Sequence, residues 1–339
     1  AAYTVSLLNP KVIRDLDLAG HGLQVVERRM SNFLPLADGR ALEIGPGRTE
    51  ASVATFSARD AARLGAYGER LERMADVLRD VVLETPPNVT TGRGIVETLG
   101  QLVAAGRLGN RFRKLDIEGQ RDLLEIFTRS AGDYLDQWFE SDPIKAIYGF
   151  DGIVGNFASP YAAGTAYVLL HHCFGEVNGK RGVWGHAIGG MGAITRAMAR
   201  SAMARGVEIR TGTGVAEVIV EKGRAVGVVT EAGEAIRAKL VVSNIHPKLL
   251  FETLVDPSEL PADFRARIAS WRSGSGTFRM NVALSELPSF TCRPGREIAD
   301  HHTAGVVIAP SLAYMEDAWI DARRHGWSTA PIVEMLIPS

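Results

Sequence analysis

The stretch that decides the fold is GGMGAITRAMARSAMARGVEIRTGTGVAEVIVEKGRAVGVVTEAGEAIRAKLVVSN, residues 189–244. Its first third places Ile194, Ala197, Met198, Ser201 and Ala202 at helical spacing with small side chains, ending at Gly206, which predicts a helix packed closely on a flat neighbour. Val207 to Arg210 then reads as a short strand. Val215 to Val220, Ala225 to Thr230 and Glu234 to Ala238 read as three further strands joined by Gly-containing turns, a β-meander. Lys239-Leu240-Val241-Val242-Ser243-Asn244 is an apolar run stopped by small polar residues and His246-Pro247, the pattern of a buried parallel strand whose C-terminal end meets a ligand. Helix, strand, meander, strand is an α/β order. Gly190-Met191-Gly192-Ala193-Ile194-Thr195 has Thr195 where a dinucleotide loop has its third glycine, and no apolar strand runs directly into it, so it is not read as a pyrophosphate loop. What the glycines retain is a helix N-terminus whose backbone N–H groups can face an electron-rich ligand.

Upstream, Asp38-Gly39 between short extended segments signals a hairpin. Ser57-Ala58-Arg59-Asp60 has capping-box spacing and opens a helix of roughly 25 residues carried by Leu64, Leu71, Met74, Leu78 and Val82. A second helix is predicted from about Ile117 to Glu140, with Leu123, Leu124, Phe127, Leu135 and Trp138 as its apolar stripe. From Asp142 to Gly190 glycines alternate with aromatic and histidine side chains, the composition of a ligand cavity with few polar groups. Tyr161, His171, His172, Trp184 and His186 are the cavity candidates. Ordinary core packing accounts for each of them taken singly. His171 and His172 are sequence neighbours and project about 100° apart on a helix, so they cannot chelate one metal ion together; no metal site is predicted, and no side chain is nominated as catalytic.

Composition narrows the function classes. The 339 residues are 46% hydrophobic and 23% charged, with 38 basic against 39 acidic side chains. A formal net charge of −1 gives no basic field for nucleic acid. Cys173 and Cys292 are the only two cysteines and form no CxxC, which argues for a reducing compartment, cytoplasmic or the mitochondrial matrix, and against disulfide chemistry. No apolar stretch approaches the ~20 residues of a transmembrane helix.

Gly155 to Gly175 with Ser159-Pro160, Gly164-Thr165-Ala166-Tyr167 and Leu169-Leu170-His171-His172, then Gly182-Val183-Trp184-Gly185, Gly189-Gly190-Met191-Gly192-Ala193 and Val241-Val242-Ser243-Asn244, together resemble the phytoene desaturase-related FAD-dependent oxidoreductases. The resemblance runs along essentially the whole chain. It implies a two-lobed α/β fold of the amine oxidase or p-hydroxybenzoate hydroxylase type, with an α+β substrate lobe and a Rossmann-type FAD lobe that is incomplete here. Residues 1–150 would be substrate lobe, 151–188 a cavity-lining helical connection, 189–248 an FAD-lobe segment and 249–339 substrate lobe again.

By the same resemblance FAD is the cofactor. Val215 would lie near its adenine, Ser243 and Asn244 would end a strand beside it, and Gly189, Gly190 and Met191 would sit near the flavin or the substrate cavity. The implied reaction is hydride abstraction from a hydrophobic small-molecule substrate. The family's opening G-x-G-x-x-G and its closing Gly-rich flavin segment are not in this sequence, so the chain reads as an internal piece of a flavoenzyme that binds FAD weakly or not at all by itself. The alternative is a binding or interaction module that has lost its cofactor site.

Overall fold

The computed structural model describes residues 3–79, 81–88, 94–113 and 115–338. The helices are α1 (Pro10–Asp15), α2 (Thr49–Ala54), α3 (Ala58–Arg79), α4 (Ile95–Phe112), α5 (Ile117–Thr128), α6 (Ala131–Trp138), α7 (Asp142–Ile153), α8 (Ala166–His171), α9 (Gly192–Met203), α10 (Pro247–Leu249), α11 (Ala262–Ser270) and α12 (Leu312–His325). The strands are β1 (Val25–Glu27), β2 (Asn32–Pro35), β3 (Ala41–Ile44), β4 (Glu176–Val177), β5 (Lys180–Arg181), β6 (Gly185–Ala187), β7 (Val215–Glu221), β8 (Arg224–Thr230), β9 (Ala235–Arg237), β10 (Gly305–Ile308) and β11 (Val333–Met335). The chain divides into two compact units, Ala1–Ser201 with Gly276–Ser339, and Ala202–Ser275.

In the first unit a four-stranded sheet runs β11-β10-β2-β3. The Asp38-Gly39 turn joins β2 to β3 as an antiparallel hairpin, with Gly39 at φ +85, while β10 lies parallel to β2. The helices α3, α5, α6, α7 and α8 pack on this sheet through one core that includes Leu34, Leu71, Met74, Ile126, Leu135, Ile147 and Leu170. Tyr67 anchors the aromatic part of that core against Trp138, Phe139 and Tyr148. A second ladder, β1 against β6, pairs Val26 with His186 and Glu27 with Gly185. Val5 bridges Gly185 from the other side.

The helix expected over Ile117–Glu140 is two helices. Arg129 and Ser130 adopt extended backbone, and the Ser130 hydroxyl accepts from Asp133 N at 3.0 Å, starting α6 afresh. Of the expected stripe Leu123, Leu135 and Trp138 reach the core, joined by Ile126, whereas Leu124 and Phe127 stay exposed. The stretch from Asp142 holds two helices, α7 and α8, where composition alone read a glycine-rich cavity wall.

The second unit contains the expected meander as β7-β8-β9, with β7 and β8 closed by Lys222-Gly223 at positive φ. Two of the strands read from sequence do not form. Val207–Arg210 and Lys239–Asn244 have no ladder partner among the described residues. Leu240 is 75% and Val242 83% exposed, so the apolar run is present without a sheet to bury it.

Candidate active site

The β1–β6 ladder and the helix α7 assemble the candidate site in the first unit. Side chains two apart on a strand share a face. Arg28 N donates to Trp184 O at 2.9 Å, extending the Val26–His186 pairing by one step, so Arg28, Trp184 and His186 stand on one side of the ladder. His172 follows α8 and places its ring 5.6 Å from that of Trp184. Its Nδ1 lies 2.8 Å from Val168 O. A carbonyl only accepts, so Nδ1 carries the hydrogen and the lone pair of neutral His172 is on Nε2. That nitrogen is 3.8 Å from Asp151 Oδ1.

Asp151 is the residue that sequence reasoning missed. It lies in the last turn of α7, where the helix dipole opposes a negative charge. No hydrogen-bond donor reaches its carboxylate among the described residues, and 24% of its side-chain surface remains open. Burial pushes its pKa above the ordinary carboxylate value, with Glu334 adding to the effect and His172 and Arg28 opposing it. The only sequence signal was an acidic residue, Asp151, ending a helix ahead of Gly152, without a basic partner at helical spacing.

The far wall is charged as well. The Tyr3 hydroxyl donates to Glu334, and burial together with that bond pushes its pKa up to about 12. Arg279 sits 4.4 Å over the Tyr3 ring. The Arg28 guanidinium is held below its usual pKa by burial. His186 directs Nδ1 to Tyr3 O at 3.2 Å, and burial, then Arg28, lowers its pKa.

The remaining candidates are placed elsewhere. His171 turns to Phe174 and Tyr167, with its pKa lowered by burial and then by His172. Tyr161 lies over Gly132, where an added Cβ would come within 2.4 Å of its ring, and it remains 40% exposed. Gly189 and Gly190 form a turn of positive φ ahead of α9. The Gly190 N–H donates to Ala187 O at 2.9 Å, and Arg196 donates to the Gly189 carbonyl at 3.1 Å, which sets a cation beside the turn. Val215 opens β7 opposite Thr230 at the edge of the meander. Ser243 and Asn244 are exposed in the second unit. No group of side chains among the described residues could hold a metal ion.

The sequence of residues 67–278 matches the family described as flavin containing amine oxidoreductase. That span covers more than half of the chain. The chain belongs to the flavin-containing amine oxidoreductases. The family spans α3 to Phe278 and so includes Asp151, His172, Trp184 and His186. Its fold type, α/β with FAD as cofactor, is therefore this chain's. The "Pyridine nucleotide-disulfide oxidoreductase domain-containing protein 2" of Rattus norvegicus is 32% identical over all of this chain, which spans 61% of that relative's length. A "Phytoene desaturase (neurosporene-forming)" of Cereibacter sphaeroides is 41% identical over 85 residues, 25% of this chain and 15% of its own. Among solved structures, an oxidoreductase from Methanosarcina mazei aligns with TM-score 0.44 and 13% identity, covering 79% of this chain and 52% of that one.

Leu240 and Val242 are exposed in a run without a ladder partner among the described residues, and Ser243 and Asn244 at its end are exposed and polar, as a contact to a cofactor requires.

Proposed function

We propose that this chain is part of an FAD-dependent oxidoreductase, phytoene dehydrogenase-like, that oxidises a hydrophobic small molecule. In the second unit Val215, Ser243 and Asn244 would hold one flank of FAD, a cofactor whose chemistry when bound is to accept a hydride. The chain's own residues handle the proton. His172, its tautomer set by Val168 O, presents Nε2 toward Asp151 across 3.8 Å, a gap too wide for a direct hydrogen bond. A substrate O–H or N–H entering that gap would meet a lone pair on one side and, on the other, a carboxyl whose proton affinity burial raises. Trp184 gives the pair an apolar wall. The observation that carries the reading is a helix-terminal carboxylate without donors facing this histidine inside the family-matched span.

Alone, the 339 residues would take up FAD weakly, because the glycine loop that holds a pyrophosphate is not among them. The test is the visible spectrum of the protein purified from its entire reading frame. Bands near ~370 and ~450 nm are expected of bound oxidised flavin. A colourless protein that fails to take up added FAD would overturn the enzyme reading in favour of a binding module.

A further inference from the structure

Arg28 carries a second feature that proton handling does not use. Its Nη1 donates to Ser31 O at 3.3 Å, but Nε and Nη2 are buried and have no acceptor. These two nitrogens form one edge of the guanidinium, two parallel N–H bonds at the spacing of a carboxylate. An unpartnered buried donor edge costs stability, and natural structures rarely leave one unless something else supplies the acceptor.

The surroundings fit an acid head on an apolar body. Glu334, the fixed anion on the β11 side, already accepts from Tyr3, and Arg279 lies over that ring. Arg28 feels Glu334 and Asp151, and its own charge helps to lower the pKa of His186 after burial. Gly305 of β10 backs the same group: a Cβ built there would meet Arg28 Nη1 and Glu334 Oε1 at 3.5 Å and Asn32 Nδ2 at 3.6 Å, ordinary contact distances. The rings of Trp184 and His172 provide the apolar neighbour.

We propose that the Nε/Nη2 edge of Arg28 anchors the carboxylate of an amphiphilic acid, with the apolar remainder of the ligand directed along Trp184. Calling that acid the substrate rests on the oxidoreductase reading; the binding itself does not.

Calorimetric titration of the purified protein with hexanoate, hexanol and hexyl phosphate tests it. Hexanoate binds, and hexanol and hexyl phosphate bind at least tenfold more weakly. Arg28→Lys keeps the charge and removes the fork, and weakens hexanoate at least tenfold. Arg28→Gln, which keeps a neutral donor without the fork or the charge, also weakens it and serves if Arg28→Lys fails to fold. Absence of hexanoate binding, equal binding of the phosphate or the alcohol, or unchanged affinity in folded Arg28→Lys or Arg28→Gln would overturn the assignment. A flavin-coloured protein indifferent to hexanoate would refute this inference and keep the oxidoreductase reading; a colourless protein that binds hexanoate through Arg28 would do the reverse.

Discussion

The helix α7 has a carboxylate at each end, and the two are treated oppositely. At the N-terminal end Asp60 reaches across from α3, fully buried, and accepts from Glu140 N at 2.9 Å, Ser141 N at 2.8 Å and the Ser141 hydroxyl at 2.5 Å. Its charge lies at the positive end of the helix dipole, and its oxygens satisfy amides that the first turn cannot. At the C-terminal end Asp151 lies where the dipole is negative, with no donors and with burial raising its pKa. Asp60 explains why α3 and α7 stay together. Asp151 gains nothing from the helix that holds it, as the proposed proton-handling role requires.

The largest effect expected is on the structural end. Asp60→Ala removes a buried carboxylate and the acceptor of three hydrogen bonds and should lower the unfolding free energy by about 3 kcal/mol, read by chemical denaturation; a loss under about 1 kcal/mol would remove the contrast. At the functional end, Asp151→Asn should slow substrate-dependent flavin reduction in the whole enzyme about a hundredfold, measured by stopped-flow bleaching of the flavin band, with the fold intact by circular dichroism. Gly152→Ala probes the helix between the two ends. An added Cβ would stand 2.6 Å from Ala131 Cβ, an overpacking of about 2 kcal/mol that a rigidly seated α7 cannot relieve; a thermal midpoint equal to wild type would show α7 free to shift.

The pH dependence separates the ends further. His186 and His171 have folded pKa values lowered chiefly by burial, so the unfolded chain binds more protons than the native one as pH falls through the unfolded histidine value of about 6.5. The stability these groups contribute is complete above that pH and declines below it. His186→Gln should flatten the decline between about pH 7 and pH 5, seen in denaturation midpoints, and an unchanged slope would deny His186 its buried neutral state.

Much of this was legible in the residues, and the misses have physical causes. The Asp38-Gly39 hairpin and the β7-β8-β9 meander were readable because turn chemistry and alternation are local. Ser57 does cap α3, accepting from Asp60 N at 3.1 Å, but the capping-box reading sent the Asp60 side chain back to its own helix, whereas it goes to Glu140 and Ser141, some 80 residues on. No local pattern encodes that partner. The same holds for the site: Trp184, His172 and His186 were singled out as types, while Arg28 and Asp151 became neighbours only through the β1–β6 ladder and the end of α7. The run Lys239–Asn244 has the pattern of a buried strand, yet burial needs partners that lie outside its own sequence.

The account rests on the claim that the two ends of α7 have opposite purposes, and the stability of Asp60→Asn and Asp151→Asn from pH 4 to pH 8 tests it most directly. Because the folded pKa of Asp151 is raised, the native state binds the extra proton between the ordinary carboxylate value and the raised one, and stability contributed by that proton is lost as pH rises through this window. Asp151→Asn should therefore equal or exceed wild type, with an advantage that grows as pH rises, while Asp60→Asn is less stable than wild type at neutral pH. Asp151→Asn losing as much stability as Asp60→Asn would contradict the account.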